Sequence, residues 1–300
     1  MEWIFDPGLL EDVVFLALRG RPEEGEFHAE RERLYEIEEE ETREAAFAEL
    51  ARRWFVRLGL WGTLERAFGE VPIVPEKCVR CLVRRASKRS EEGAELLVSS
   101  ERGHEERTVR LLLRAESFLR PGELLGFLRG ELLRLGDILD PAFGYDPKVP
   151  HGVGDRIPFA LFQDRYRVAW DASLVGRMVR AGWLPPEERE AAFASFRKVL
   201  GSSGNGAADR TFAGFFDRRP THEEIVAFAL DPGLGRAATC RSCGAVLYPP
   251  AALAHSAFPR EGERLRHELC AQCSDLLRER EKEARRLGGA KGGDHADSPG

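Results

Sequence analysis

The six cysteines of this 300-residue chain all fall into pairs with the spacing Cys-x-x-Cys. The pairs are Cys78/Cys81, Cys240/Cys243 and Cys270/Cys273. Random placement would very rarely give this pattern, so the pairs predict a common chemistry. Because the N-terminus is acidic and shows no secretory signal, we expect a cytoplasmic, reducing environment, where metal binding is favoured over disulfides. A zinc site takes four ligands, so three pairs make one complete site and half of another.

The last two pairs predict a zinc ribbon. Cys240 and Cys243 have the form of a zinc knuckle, and Cys270 and Cys273 supply a second knuckle after 26 intervening residues. We expect these four thiolates to bind one structural Zn²⁺, which would stabilise a segment too short to make its own core. Buried unligated cysteines and redox chemistry are the alternatives. A ribbon does not identify its partner; we expect an unknown protein partner.

The first pair has no third pair to join. Cys78 and Cys81 could bind a second metal with His104 or another fourth ligand, form a redox dithiol, or dimerise the chain through a shared metal. The alternative is that both are small apolar residues in a turn. The sequence leaves these possibilities open.

The net charge of −6 comes from one segment of the chain. Residues 21–50 hold twelve Glu and four Arg, so the other 270 residues carry a net charge of +2. A chain-wide positive field for nucleic acid is therefore not expected. The longest apolar run, residues 13–18, has six residues, far below the roughly 20 of a membrane-spanning helix, so we expect no membrane association.

Arginine dominates the basic residues, with 39 Arg against six Lys, which is typical of a GC-rich genome. Individual arginines are given no functional weight for that reason. Residues 77–90 are a local exception, since they contain six basic side chains and no acidic one. With the mildly basic loop between the knuckles, they leave nucleic-acid binding as a weaker alternative.

Apolar periodicity predicts several elements. We expect a short helix or strand in residues 1–20, a long helix over 26–58, and a hairpin of strands 94–99 and 108–113. Further predictions are a helix over 121–139, irregular chain over 141–160, a strand over 165–170, helices over 186–200 and 221–230, and a loop at 201–206. Residues 279–300 have the composition of a disordered tail.

The helix over 121–139 invites comparison with the HExxH motif of zinc metallopeptidases. In that motif two histidines one turn apart bind zinc, and the glutamate activates the bound water. Here Glu131 occupies the glutamate position, while Gly130 and Arg134 stand at the two histidine positions. Glu131 is therefore the one candidate catalytic residue.

The surrounding residues resemble an uncharacterised group of bacterial zincin-like proteins that carry HExxH, then Asp-Met-Leu-Asp-Pro-Ala-Phe-Gly-Tyr, and a C-terminal zinc ribbon. The resemblance covers most of residues 30–278. The matching segments are Arg43-Glu-Ala-Ala-Phe47, Trp54-Phe55, Ser117-Phe-Leu-Arg-Pro121, Asp137-Ile-Leu-Asp-Pro-Ala-Phe-Gly-Tyr145, Tyr166-Arg-Val-Ala-Trp170, Thr221-His222 and the ribbon cysteines.

The resemblance implies a hairpin followed by an active-site helix, with Asp140 at the third-ligand spacing of some zincins. This chain departs from the pattern at both histidines, because glycine cannot bind a metal and arginine stays protonated and repels one. Arg134 is three positions from both Glu131 and Asp137, so its guanidinium could neutralise the two carboxylates in place of a divalent cation. Ordinary surface pairs on an amphipathic helix are the alternative.

Together these features predict an α+β, mainly α protein: a zincin-like hairpin plus helix core with a C-terminal zinc ribbon. The expected parts are an N-terminal helical region (1–70), a zincin-like core (71–235), the ribbon (236–278) and the tail (279–300). The expected function is that of a zinc-binding pseudoenzyme with a binding or scaffolding role. The alternatives are a metal-dependent hydrolase or peptidase that uses Glu131 with carboxylate ligands, and a nucleic-acid- or protein-binding zinc-ribbon adaptor.

Overall fold

The computed structural model describes most of the first 231 residues and two short strands beyond them. The described residues are 1–101, 104–150, 153–154, 157–200, 207–231, 238–239 and 246–247. They form an α+β fold that is mainly helical, which confirms the predicted fold class at this level. Within this part of the chain, no helix is long and apolar enough to cross a membrane.

The described residues form ten α-helices and six strands. The helices are α1 (Pro7–Leu18), α2 (Glu24–Arg33), α3 (Glu40–Arg57), α4 (Trp61–Glu70), α5 (Ile73–Lys77), α6 (Pro121–Leu139), α7 (Phe159–Arg180), α8 (Glu188–Leu200), α9 (Ala207–Phe216) and α10 (His222–Leu230). The strands are β1 (Glu2–Phe5), β2 (Arg80–Arg85), β3 (Gly93–Glu101), β4 (His104–Leu113), β5 (Ala238–Thr239) and β6 (Val246–Leu247).

The main sheet has four strands in the order β1-β2-β4-β3. Strands β1, β2 and β4 run parallel, while β3 and β4 form the predicted antiparallel hairpin. The inward face alternates along each strand, so that Cys81 and Val83 are buried between Trp3, Phe5 and the apolar residues of β4. Strand β3 lies at the edge, next to helix α6.

One hydrophobic core lies between this sheet and helices α1, α3, α4 and α6. It contains residues of both the predicted N-terminal region and the predicted central region, from Leu9 to Leu139. Helix α6 contributes the apolar stripe that its sequence predicts: Leu124, Leu128, Leu132, Leu135 and Leu139 are all buried. Its bounds are those predicted, since Pro121 begins the helix at a position where no backbone donor is needed.

A second core lies among helices α7 to α10 and is rich in phenylalanine, including Phe196, Phe212 and Phe228. Gly176 allows α7 and α9 to approach closely, because a Cβ there would lie 1.9 Å from the carbonyl oxygen of Phe216. Phe143, just after α6, packs into this second core, and Leu133 and Ile138 of α6 pack against both cores.

The predicted long helix over 26–58 is wrong as one element. The chain forms α2, a 3₁₀ turn at Leu34–Glu36 and an extended link before α3 begins at Glu40. The glutamate run over 38–41 explains the break, because glutamates at a helix N-terminus interact favourably with the helix dipole whereas adjacent ones inside a helix repel. Arg43 fixes the link by donating to the carbonyl of Ile37 at 2.9 Å.

The predicted strand over 165–170 is also wrong, because these residues lie inside α7. Residues 165–168 alternate between arginine and an apolar or aromatic residue, but the longer pattern of buried residues from Phe162 to Met178 has helical spacing. Residues 1–20 form both β1 and α1. The helices over 186–200 and 221–230 are confirmed as α8 and α10, and the latter begins with the expected Thr221 cap in a capping box with Glu224. The predicted loop at 201–206 lies outside the described residues.

Candidate site around helix α6

The middle of α6 places Glu131 against the sheet edge. Its Oε2 accepts a hydrogen bond from the backbone N–H of Ala94 on β3 at 3.0 Å. Because Ala94 pairs with Leu111 on the other side, this N–H belongs to the unpaired edge of the strand, and Glu131 satisfies it. The neighbouring Gly130 has open space around it, since a Cβ built there meets nothing within 4 Å.

Arg134, one turn further along α6, contacts a carboxylate that the sequence did not predict. Its Nη2 donates to Asp171 Oδ1 of α7 at 3.0 Å, and its guanidinium lies 5.2 Å from the ring centroid of Trp170. Its Nε is 3.9 Å from Glu131 Oε1, which is an ion pair without a hydrogen bond. The guanidinium therefore bridges Glu131 and Asp171 across the α6–α7 packing.

The predicted neutralisation of Asp137 by Arg134 is wrong. Asp137 instead accepts from two other arginines and a tryptophan: Arg177 Nη1 at 2.8 Å, Arg219 Nε at 3.0 Å and Trp170 Nε1 at 2.8 Å. The Asp137 side chain is 1% exposed, so these donors replace the water that a buried carboxylate loses. The physical reason is direction: Asp137 points into the space between α6 and α7, where Arg177 and Trp170 already lie.

Asp140, which the resemblance places at a third-ligand position, belongs to the same network. Arg219 donates to Asp140 Oδ2 as well as to Asp137, so one guanidinium joins the two carboxylates. The backbone N–H of Ala142 also donates to Asp140 Oδ1 at 2.8 Å. This backbone bond and then Arg219 hold the pKa of Asp140 below its ordinary value of 3.8.

Sequence reasoning missed Arg177, Arg219 and Asp171. Their distances along the chain, 40 and 82 residues from Asp137 for the two arginines, give no local signal. The abundance of arginine in the chain also gives these two arginines no signal of their own. The arginine-carboxylate network is defined here as Glu131, Arg134, Asp137, Asp140, Asp171, Arg177 and Arg219.

Aromatic residues from three separate segments pack beside this network. Phe143 stacks on Trp170 with ring centroids 5.3 Å apart, and Tyr145 contacts the His222 ring at 5.2 Å. Tyr166 O–H and His222 Nδ1 are 2.7 Å apart. The backbone N–H of His222 donates to the carbonyl of Phe143 at 2.8 Å, which ties the start of α10 to the loop after α6. Three segments that are far apart along the chain thus meet at one place.

Burial shifts the pKa of two of these side chains, His222 and Tyr166. Burial lowers the pKa of His222 from its ordinary value, and the nearby Asp146 carboxylate only partly opposes this. Burial also raises the pKa of Tyr166 well above its ordinary range. The imidazole is therefore favoured in its neutral form and the phenol keeps its proton.

The first cysteine pair lies in the first hydrophobic core. Cys78 is 3% exposed and Cys81 is fully buried, and both are free thiols. Burial raises the pKa of both, most strongly that of Cys81, which favours the neutral thiol over the thiolate that a metal or a nucleophilic reaction needs. His104 begins β4 five residues before Val109, the partner of Cys81 in the sheet, and its side chain is not among the described ones.

The four ribbon cysteines lie outside the described residues. Strands β5 and β6 flank the first of the two knuckles, with Thr239 paired to Val246, so that both Cys240 and Cys243 fall in the six-residue connection. Among described residues, no group of three or more His, Cys, Asp and Glu side chains is arranged to hold a metal ion.

The basic stretch over 77–90 is partly neutralised. Arg80 forms ion pairs with Glu2 at 3.3 Å and Glu106 at 3.6 Å, and Arg85 pairs with Asp12 at 2.7 Å. Paired arginines present less positive potential to a phosphate backbone than the sequence implies.

No protein-family model matches this chain, and no curated protein or solved structure matches it. The zincin-like resemblance therefore stays a prediction, and the site is interpreted from its own contacts.

Proposed function

We propose that this protein is a zinc-binding pseudoenzyme: a catalytically inactive, zincin-like chain with a structural zinc ribbon and a binding or scaffolding role toward a protein partner. The observation that carries the proposal is that Arg134, which stands at the second histidine position of the HExxH pattern, bridges the carboxylates of Glu131 and Asp171. A protonated guanidinium there supplies the positive charge that a metal ion supplies in a zinc enzyme. A cytoplasmic location belongs to the same proposal.

The other acidic groups support the proposal because each already has donors. Asp137 accepts from Arg177, Arg219 and Trp170, and Asp140 accepts from Arg219 and a backbone N–H. A metal that used these carboxylates would have to displace arginines that are themselves partly buried. Breaking such pairs is costly, since it leaves buried charges uncompensated.

The ribbon part of the proposal is supported by the pairing of β5 with β6. A short antiparallel pair that encloses a Cys-x-x-Cys connection suits a knuckle, in which two thiolates three positions apart bind one tetrahedral ion. Cysteines 270 and 273 supply the remaining two ligands in this proposal. The first pair, buried in the core as neutral thiols, is assigned a packing role.

Metal content of the full-length protein, purified without a histidine tag, tests the zinc assignment. Elemental analysis should give one Zn²⁺ per chain, and none after Cys240→Ser with Cys270→Ser. The matched control, Cys78→Ala with Cys81→Ala, should keep its zinc. Full zinc content in the Cys240→Ser, Cys270→Ser variant would show that the ribbon assignment is wrong, and two Zn²⁺ in the unmodified protein would require a second site.

Restoration of the two histidines tests the zincin-like part. Gly130→His with Arg134→His places two imidazoles one turn apart, and the open space around Gly130 accommodates the first. This variant should bind one metal ion more than a control with Gly130→Ala and Arg134→Ala. Equal metal content in the two variants would contradict the zincin-like assignment.

Hydrolysis assays test the inactive assignment against the metallohydrolase alternative. The unmodified protein should show no peptidase activity on casein that a metal chelator removes. Chelator-sensitive activity that is lost in Glu131→Gln would overturn the pseudoenzyme proposal, because it would give Glu131 the role of the HExxH glutamate.

A further inference from the structure

A cleft lies next to the arginine-carboxylate network, between the loop over 145–150, the first half of α7 and the start of α10. Its volume is about 330 Å³, within the range of small-molecule sites. Aromatic rings form much of its wall: Tyr145, Phe159, Phe162, Tyr166 and Trp170. The arginine-carboxylate network explains why Trp170 is fixed here, but it does not explain why so many rings surround an open space.

Large apolar side chains remain exposed at this cleft. Phe159 is 48% exposed, Tyr145 is 38% exposed and Val149 is 61% exposed, and all three line it. Apolar surface that is grouped around a concave site, rather than scattered singly, marks a place where a ligand can remove it from water. A flat ring is the shape that suits a cleft with aromatic walls.

The polar groups of the cleft include the His222 imidazole, which a hydrogen bond holds in place. The Tyr166 hydroxyl and His222 Nδ1 form a hydrogen bond at 2.7 Å, in which either atom can carry the shared hydrogen. A neutral imidazole that accepts at Nδ1 carries its hydrogen at Nε2. In the tautomer that accepts from Tyr166, Nε2–H is a donor on a ring that lines the cleft.

The charges that line the cleft are mostly positive. Three cations, Arg134, Lys148 and Arg167, line it with one carboxylate, Asp146. Lys148 makes no ion pair within the described part of the chain, and the Arg167 pair with Asp164 is loose at 3.9 Å. Arg134 is already bound to Asp171, so Lys148 and Arg167 have the capacity for an anion, which an apolar wall alone would not attract.

We propose that this cleft binds a small molecule in which a planar aromatic ring is joined to an anionic group. The ring packs among Tyr145, Phe159 and Trp170. The anion pairs with Lys148, and in this proposal Tyr166 O–H donates to Nδ1 of His222, so that Nε2–H donates to the anion. An aromatic carboxylate and a mononucleotide share this chemistry. The inference goes beyond the proposed scaffolding function and does not depend on zinc.

Calorimetric titration of the full-length protein with matched probes tests the proposal. Indole-3-acetate is compared with neutral indole-3-acetamide, and adenosine monophosphate with adenosine; acetate supplies the charge without a ring. The anion of at least one pair should bind about tenfold more tightly than its neutral partner, as a charge-assisted hydrogen bond predicts, and acetate should not bind. The pair that discriminates identifies the source of the ligand.

Two variants connect the binding to this cleft. Phe159→Ala removes an exposed ring, and Lys148→Ala removes a cation that makes no ion pair among the described residues, so neither should disturb folding. Each variant should bind the anionic probe about tenfold more weakly than the unmodified protein. Tyr35→Ala, at an exposed ring far along the sequence, is the control and should bind normally. The proposal is overturned by equal affinity for charged and neutral probes, by no binding at millimolar concentration, or by unchanged binding in both cleft variants.

Discussion

Helix α6 carries two acidic residues less than two turns apart, and their surroundings are opposite. Asp137 is 1% exposed and accepts from two arginines and a tryptophan, whereas Glu131 is 21% exposed and has one backbone donor and one arginine at 3.9 Å. The sequence pattern directs attention to Glu131, yet the structure commits more donors to Asp137. The difference teaches that the packing of α6 on α7 depends on the carboxylate that is buried, rather than on the one at the motif position.

Asp137→Asn should have the largest effect. It removes the negative charge that Arg177 and Arg219 share, and a broken buried ion pair typically costs about 3 to 5 kcal/mol of unfolding free energy. Urea unfolding followed by circular dichroism measures it. Asp164→Asn, at an exposed pair, is the matched control and should change stability little. A loss below about 1 kcal/mol would show that Asp137 is not the centre of the network.

Trp170→Phe should have an intermediate effect, because it keeps a ring and removes the N–H that donates to Asp137 at 2.8 Å. A hydrogen bond to a charged group is worth about 1.5 to 3 kcal/mol. Trp61→Phe is the control, since the Trp61 ring packs on Trp3 and Phe5 but makes no hydrogen bond among the described residues. Equal losses of unfolding free energy in the two variants would contradict a role for the indole N–H.

Arg134→Ala should cost about 1 kcal/mol or less, because its side chain is 31% exposed and its contact with Glu131 is long. The same urea experiment, with Arg177→Ala as the comparison, ranks the two arginines. A loss for Arg134→Ala that equals that of Arg177→Ala would mean that the Glu131 side of α6 holds the helix as firmly as the Asp137 side.

The smallest effect concerns pH. Burial lowers the folded-state pKa of His222 below 6.5, so the unfolded chain binds the proton more readily. The stability that the neutral imidazole contributes is therefore present above pH 6.5. It is lost as the pH falls from 6.5 through the lowered folded-state pKa of His222. Thermal unfolding between pH 7 and pH 5 should show a smaller decrease in His222→Gln than in the unmodified protein. His28→Gln, at an exposed site, should leave the decrease unchanged.

Local sequence predicted the elements whose signals are local. The stripe of leucines predicted α6, and Pro121 predicted where it begins. Thr221 predicted the start of α10, and the two strand-like runs predicted the β3–β4 hairpin. Two predictions failed: the glutamate run divided a helical pattern, and the alternation over residues 165–168 resembled a strand inside α7. The helix dipole at the N-terminus of α3 outweighed the first pattern, and burial in the second core outweighed the second one.

The sequence by itself determined which charges α6 carries and that its two histidine positions hold glycine and arginine. It also determined the regular pairing of the cysteines, from which the zinc ribbon is proposed. Only the tertiary structure decided which arginine neutralises which carboxylate, because Arg177 and Arg219 reach Asp137 by the packing of α7 and the chain before α10 against α6. Ion pairing depends on distance and burial, and neither is encoded in spacing along the chain.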